Sequence, residues 1–252
     1  MKDCLRFILV AITVVIVLTL SDFLPPTRAV VIRDDRSDAD TLRLGESFDA
    51  VAVVLPDGGC TLIAPTWVIT AAHVAAQISD KGQIKFGDKV YTVKRVFIHP
   101  EGSAPRGTPP EVDLALVELA EPVQGIKPID LYRDHDELGK AVFIVGYGDY
   151  GNPKAGLKHS DGKRRAVTNI VGDAGPRRIF LTFDQPPKGT EFEGVGAPGD
   201  SGGPAIIKQG DRLFIAGVSS ASMNGKPGQY GVTDVYTRVS SYLDWIDKTM
   251  KK

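Results

Sequence analysis

The stretch APGDSGGPAII, residues 197–207, sets Ser201 beside Asp200, among Gly199, Gly202 and Gly203, just ahead of an apolar run. Glycine costs backbone entropy wherever its freedom goes unused. The spacing suits a backbone bent to expose a serine hydroxyl and to aim amide N–H groups at one point. It equally suits a glycine-rich hairpin turn. A serine hydroxyl is a weak nucleophile at neutral pH. To act, it needs a base that takes its proton and a carboxylate that orients the base.

Four histidines are available, His73, His99, His135 and His159, and all precede Ser201. Gly199-x-Ser201-x-Gly203 also fits the nucleophile elbow of α/β-hydrolases, but that order places the histidine after the serine. No histidine follows Ser201, so the order excludes that reading. His135 and His159 lie in charged loops, and His99 precedes a proline. His73 ends WVITAAH, where an apolar strand holds it rigidly, as a base requires. Asp113 heads DLALVEL, whose first half is otherwise apolar. A carboxylate there needs a partner, and a histidine N–H supplies one. The other acid, Asp200, adjoins Ser201 and points away from a base approaching that hydroxyl.

These residues need strands to hold them. The chain has 252 residues, 42% hydrophobic and 24% charged, with a net charge of -1. That is globular composition and points away from a nucleic-acid surface. Twelve apolar runs separated by Gly, Pro and Asp read as strands, six before and six after the segment near 126–134. The expectation is all-β: two six-stranded antiparallel barrels. The segment after residue 29 reads as polar surface chain. Only the end looks helical, with Ser240 or Ser241 as a cap and Tyr242, Trp245, Ile246 and Met250 on one face.

Residues 1–29 carry Lys2 and Arg6, an apolar run from Phe7 to Leu20, then Pro25, Pro26 and the small residues Thr27 and Ala29. This is the pattern of an export signal peptide. An uncleaved anchor is the alternative, although a bilayer span needs roughly 20 residues. The expected organisation is a signal peptide at 1–29, a barrel at 30–133 carrying His73 and Asp113, and a barrel at 134–252 carrying Ser201. The product is secreted or periplasmic, without stable membrane association once the signal is removed. Cys60 then stands alone, either as a reactive thiol or as a small buried apolar residue. No histidine or cysteine cluster has metal-ligand spacing.

TAAH at 70–73, DLAL at 113–116 and GDSGGP at 199–204, in that order, resemble the three catalytic motifs of trypsin/chymotrypsin-family serine proteases. VYTRVSSYLDWI at 235–246 resembles the family's last strand and helix, and the likeness runs from about Phe48 to the end. The scarcity of cysteine is similar to bacterial members: Val74 and Ala197 stand where cysteines are usual. The resemblance implies a serine endopeptidase without cofactor or metal, acting on polypeptides through His73, Asp113 and Ser201. The N–H groups of Gly199 and Ser201 then form the oxyanion hole. A catalytically silent relative that binds a partner is the competing class, and a hydrolase of small esters is a third. By the same resemblance Val195 falls at the base of the specificity pocket, with Ser219, Ser220, Ala221 and Asp234 along its walls. Asp234 implies cleavage after Lys or Arg, unless it turns outward or pairs with Arg238. A new N-terminus at Val30 is expected to insert and pair with Asp200.

Overall fold

The computed structural model describes residues 30–78, 81–102 and 112–252. The expected signal peptide at 1–29 lies outside them. Strands Val51–Val54, Gly59–Ala64, Trp67–Thr70, Ala115–Leu119, Lys89–Ile98 and Gln83–Phe86 pair antiparallel in that order, and the last returns to the first. This is one closed six-stranded barrel. Lys89–Ile98 shows why it closes on an apolar interior: Tyr91 and Val93 are buried while Lys89, Thr92 and Lys94 face solvent. Leu62, Ile69, Ile84 and Leu116 fill the centre.

The second six-stranded barrel does not exist. Arg165–Ile170, Ala141–Gly146, Pro204–Gln209, Arg212–Met223, Thr233–Arg238, Arg178–Thr182 and Asp173–Ala174 form an open path, and Asp130–Leu131 adds at Arg212–Met223. The two ends never pair. Near the Arg165–Ile170 end an isolated bridge, Thr168 to Glu193, and the Asn169 side-chain amide, donating to Thr182 O (3.1 Å) and Gly194 O (2.8 Å), stand in for strand pairing. Immediately after Glu193, Gly194–Val195 turns to another partner: Val31–Ile32, in a four-stranded sheet with Tyr150–Asn152 and Gly156–Lys158. The chain that runs nearest to closing the second barrel is thus spent on the N-terminal arm.

That arm packs on the C-terminal half. Arg33 N–H donates to Glu193 O (2.9 Å), and its side chain reaches Thr190 O (2.9 Å). A helix follows at Asp38–Gly45, where the sequence reads only as polar chain. Ser37 and Asp40 close a capping box at its start. Arg165, almost wholly buried, grips Asp38 through two bonds (2.6 and 2.9 Å) and stacks 3.8 Å from the Tyr150 ring centre. At the other end of the chain, Val239–Tyr242 is a 3₁₀ turn and Leu243–Thr249 is α-helical. The helix therefore starts after both expected caps. Ser240 instead donates to Glu137 (2.6 Å). Tyr242 and Ile246 join the core cluster of the first barrel.

Candidate active site

Strand Trp67–Thr70 ends in a one-turn helix, Ala72–Ala75, and His73 sits on that turn rather than on the strand end itself. Asp113 lies two residues before strand Ala115–Leu119, which pairs with Trp67–Thr70. Adjacent strands therefore deliver the two side chains to one spot. His73 backbone N–H donates to Asp113 Oδ1 (3.0 Å), and His73 Nδ1 lies 2.7 Å from Asp113 Oδ2. Ser220 Oγ donates to the same Oδ2 (2.7 Å), and Thr237 Oγ1 donates to Asp113 O (2.9 Å). Asp113 is 3% exposed. Burial works against its charge, but the bonds from His73 and Ser220 outweigh it and hold the carboxyl below its ordinary value. Ser220 thus belongs to the Asp113 cluster; the sequence suggested it only as a pocket wall.

The glycine loop spans the two halves. Gly59 N–H, in the barrel, donates to Ser201 O (2.7 Å). Gly202 N–H donates to Ser219 O (2.8 Å), and Ser219 N–H to Gly203 O (2.8 Å). Gly199 and Gly202 have φ of +94° and +82°, a region that other residues adopt only under strain. A side chain at Gly202 would also collide with Gly59 O and Thr70 Oγ1. Among the described residues, the N–H groups of Gly199 and Ser201 donate to no acceptor. No hydrogen bond joins Ser201 to His73; such bonds often tighten only once substrate is bound.

Asp200 points away from His73, into the protein. Its Oδ1 accepts from Gly148 N–H (2.9 Å) and its Oδ2 from Ala197 N–H (2.8 Å). Burial drives its pKa well above the ordinary carboxylate value, and the charges of Asp234 and Asp149 add to this. Val30 is buried in the core of the second sheet, and no hydrogen bond links it to Asp200 among the described residues.

Beside Ser201 opens a cavity of about 260 Å³, lined in part by Gly196, Ser219, Ala221, Ser222 and Asp234. Asp234 faces this cavity. It accepts from Gly196 N–H and from Ser222 Oγ, each at 2.7 Å. Burial pushes its carboxyl up to about 6. Arg238 is engaged elsewhere, with Glu137 and the carbonyls of His135 and Gly175. Val195 does not line the cavity; it is fully buried against Val31, Phe183 and Val232. Ser222 and Gly196 were not singled out from the sequence; the cross-strand pairing of Ser222 with Asp234 reveals the first, and the bond from Gly196 N–H to Asp234 Oδ2 the second.

The other histidines lie apart from this cluster. His99 is buried between the rings of Tyr242 and Trp245, and His159 faces Asp149. Cys60 is buried and free, its thiol pushed up by burial, which leaves it unreactive. Among the described residues no group of three or more His, Cys, Asp or Glu is placed to hold a metal ion.

A family model described as Trypsin matches residues 46–246. Kallikrein-11 of Homo sapiens is 29% identical over 216 residues, covering 77% of this chain and 71% of that protein. Tryptase of Mus musculus is 27% identical over 226 residues, covering 77% and 78%. A solved structure titled neuropsin, a serine protease expressed in the limbic system of mouse brain, superposes with a TM-score of 0.67 at 20% identity. It covers 82% of this chain and 96% of its own. These relatives are mammalian, which corrects the likeness to bacterial members that low cysteine content suggests.

Proposed function

The chain belongs to the trypsin family of serine proteases, and on that premise we propose that it is an exported serine endopeptidase with Ser201, His73 and Asp113 as its triad. Ser201 Oγ attacks the carbonyl carbon of a peptide bond. His73 Nε2 takes the hydroxyl proton as the bond forms. Asp113 fixes the proton on Nδ1 and stabilises the imidazolium. The carbonyl oxygen, now negative, lies against the N–H groups of Gly199 and Ser201. Collapse expels the amine, which leaves with the proton from His73, and an acyl-enzyme remains. Water then attacks the ester by the reverse sequence, releasing the acid and restoring Ser201.

One observation carries this reading: His73 backbone N–H, His73 Nδ1 and Ser220 Oγ all bond a buried Asp113 carboxylate. An isolated buried carboxylate is costly, so three donors aimed at one acid mark an orienting group. The unpaired amides of Gly199 and Ser201 support the oxyanion assignment.

Asp234 is the pocket's acid in this reading and selects Lys or Arg before the scissile bond. A carboxylate at 2% exposure gains from a cation that neutralises it. Residues 1–29 act as the export signal, ahead of units at 30–133 and 134–252. Among the described residues no helix is long and apolar enough to cross a membrane. Removal of the signal frees Val30 to pair with Asp200.

The test is Ser201→Ala. Peptidase activity falls by about 10⁶ in turnover, the scale for losing such a nucleophile. The thermal melt is unchanged, and labelling by a serine-directed phosphonate is lost. A Ser201→Ala protein that cleaves peptides at the wild-type rate refutes the assignment.

A further inference from the structure

We propose that Arg165 is a positioning residue for the reaction at Ser201: it fixes the chain segment that aims the Gly199 amide, and ties that segment to the N-terminal arm. The inference rests on the proposed roles of Ser201 and of the Gly199 amide, and it assigns a residue that lies in none of the three motifs. Arg165 is fully buried, at 0% exposure. All five of its N–H groups donate. Nε and Nη2 bond Asp38 (2.6 and 2.9 Å), Nη1 and Nη2 bond Asp161 (2.7 and 3.1 Å), and Nη1 also reaches Lys163 O (3.4 Å). The guanidinium lies over the Tyr150 ring. As a set, a buried guanidinium and its acids often stabilise no better than apolar side chains of the same volume, although removing one member alone is costly. What the charge adds is direction: a rigid planar fork sets two carboxylates and one ring at once.

Tyr150 begins strand Tyr150–Asn152, which pairs with Val31 of the arm through Gly151. The two residues before it hold the Ser201 loop. Gly148 N–H donates to Asp200 Oδ1 (2.9 Å) and Asp149 N–H to Pro198 O (3.1 Å). Those acceptors flank Gly199 on either side. The second bond sets its amide directly. Pro198 O and Gly199 N–H belong to one planar trans peptide and point opposite ways, so a donor that fixes the oxygen also fixes where the N–H aims. Gly199 has no side chain with which to anchor itself. Asp149 is therefore the point of control, and Tyr150, seated on Arg165, holds Asp149 in place. Through Asp38 the same guanidinium holds the start of helix Asp38–Gly45, which follows the arm. Arg164 repeats the link, bonding Gly45 O (2.7 Å) and the Tyr147 hydroxyl (3.1 Å). The bonds of Arg165 reach neither Ser201 nor His73, so its effect passes through backbone position.

The experiment measures kcat and KM on a peptide amide, well below the melting temperature, in Arg165→Met, Tyr150→Leu, Tyr150→Phe and the double variant Arg165→Met with Tyr150→Leu. Each rate is divided by the number of serines titrated to completion with a serine-directed phosphonate. A residue that only stabilises the fold changes the melt and the titratable fraction and leaves the rate per titrated serine alone. The expected kcat per site is about tenfold down in Arg165→Met and in Tyr150→Leu, with KM near wild type; displacing an oxyanion donor costs less than deleting one, about 10²–10³. The double variant falls no further, because both changes release the same contact. Tyr150→Phe restores the ring and recovers the rate lost in Tyr150→Leu. Wild-type kcat per titrated serine in Arg165→Met or in Tyr150→Leu overturns the inference, and so do losses that multiply to about a hundredfold in the double variant. If Arg165→Met does not fold, the two Tyr150 variants decide, since they leave the four carboxylate bonds of Arg165 in place. A wild-type protein that neither cleaves nor labels refutes the reading of Ser201 and this inference with it. An active wild type with unaltered variants removes Arg165 only.

Discussion

Replacing Asp113 by Asn tests the triad where its geometry is most constrained. Three donors converge on this carboxylate: His73 backbone N–H on Oδ1, and His73 Nδ1 with Ser220 Oγ on Oδ2. An amide offers one oxygen and one NH₂. The backbone N–H can neither rotate nor give up its proton, so the amide oxygen takes the Oδ1 side. The NH₂ then faces His73 Nδ1, which must present a lone pair. The imidazole proton moves to Nε2, the nitrogen that has to accept from Ser201. The base is held in the wrong tautomer, although every buried group keeps a partner because the Ser220 hydroxyl rotates to accept. The fold therefore survives. For the family's triad that tautomer penalty is about 10⁴ in kcat, or about 5.5 kcal/mol of barrier. The assay is kcat on a peptide amide, run beside a thermal melt and the rate of phosphonate labelling. Turnover and labelling fall together while the melt holds. A folded Asp113→Asn protein that keeps more than about a tenth of wild-type kcat refutes the tautomer argument.

Asp234→Gly abolishes the preference for Lys and Arg, measured against a Leu peptide. Asp234 is held at about 6, so it is neutral below that pH and charged above it; KM for basic peptides rises as pH falls through about 6, and KM for the Leu peptide does not follow. N-terminal sequencing of the secreted, active protein gives Val30 as the first residue; a start well beyond Ile32 with full activity removes Val30 from the mechanism. Arg165→Ala lowers stability in urea melts by about 2–3 kcal/mol, since it strips a buried guanidinium from two partly exposed acids. In wild type the Asp161 carboxyl is held at about 2 by its bond from Arg165, so its contribution is present above the ordinary carboxylate pKa and is lost as pH falls toward 2; an acid limb that Arg165→Ala leaves unaltered sinks this account.

The barrel was legible because its strands are four to ten residues long and their apolar runs stand between turn signals. His73 and Asp113 stood out because Asp113 heads an apolar strand and His73 follows one through small residues, although His73 lies on the helical turn Ala72–Ala75. What escaped the sequence was set by distant partners. Val31–Ile32, Asp130–Leu131, Asp173–Ala174 and Gly194–Val195 are two-residue strands, too short for any period to show. Counting six runs in the second half suggested closure, but a count does not say which edges meet. Gly194–Val195 pairs with the arm because Val31 and Val195 bury each other, a contact 164 positions apart in the chain that no local pattern announces. The helix Asp38–Gly45 did carry a local signal, acids in its first turn and Arg43 in its last. It was outweighed because the segment lacks an apolar stripe; Arg165, 127 positions along the chain, holds it down instead.

The same contrast applies to the loop that carries Ser201. By family resemblance a cysteine is expected at Ala197, and the loop has no disulfide there. Hydrogen bonds brace it: Ala197 N–H to Asp200 Oδ2, Asp200 N–H to Ala197 O (3.0 Å), Gly148 N–H to Asp200 Oδ1 and Asp149 N–H to Pro198 O (3.1 Å). Two of these depend on Asp200 accepting at both oxygens, which its ionised form does best. Yet Asp200 is 2% exposed, and burial with two neighbouring carboxylates favours its protonated form. Geometry asks for the charge and the surroundings oppose it. A cation beside Asp200 resolves that conflict, because it stabilises the ionised carboxylate and with it the Ala197 and Gly148 clasps. In the activation reading proposed above, that cation is the new N-terminus; Val31 pairs with Val195, two residues before Ala197, and Val30 lies buried next to Val31. On that proposal, the charge of an ammonium at Val30 lets the glycine loop keep its shape without a covalent brace, and a mature start well beyond Ile32 leaves Asp200 needing another partner.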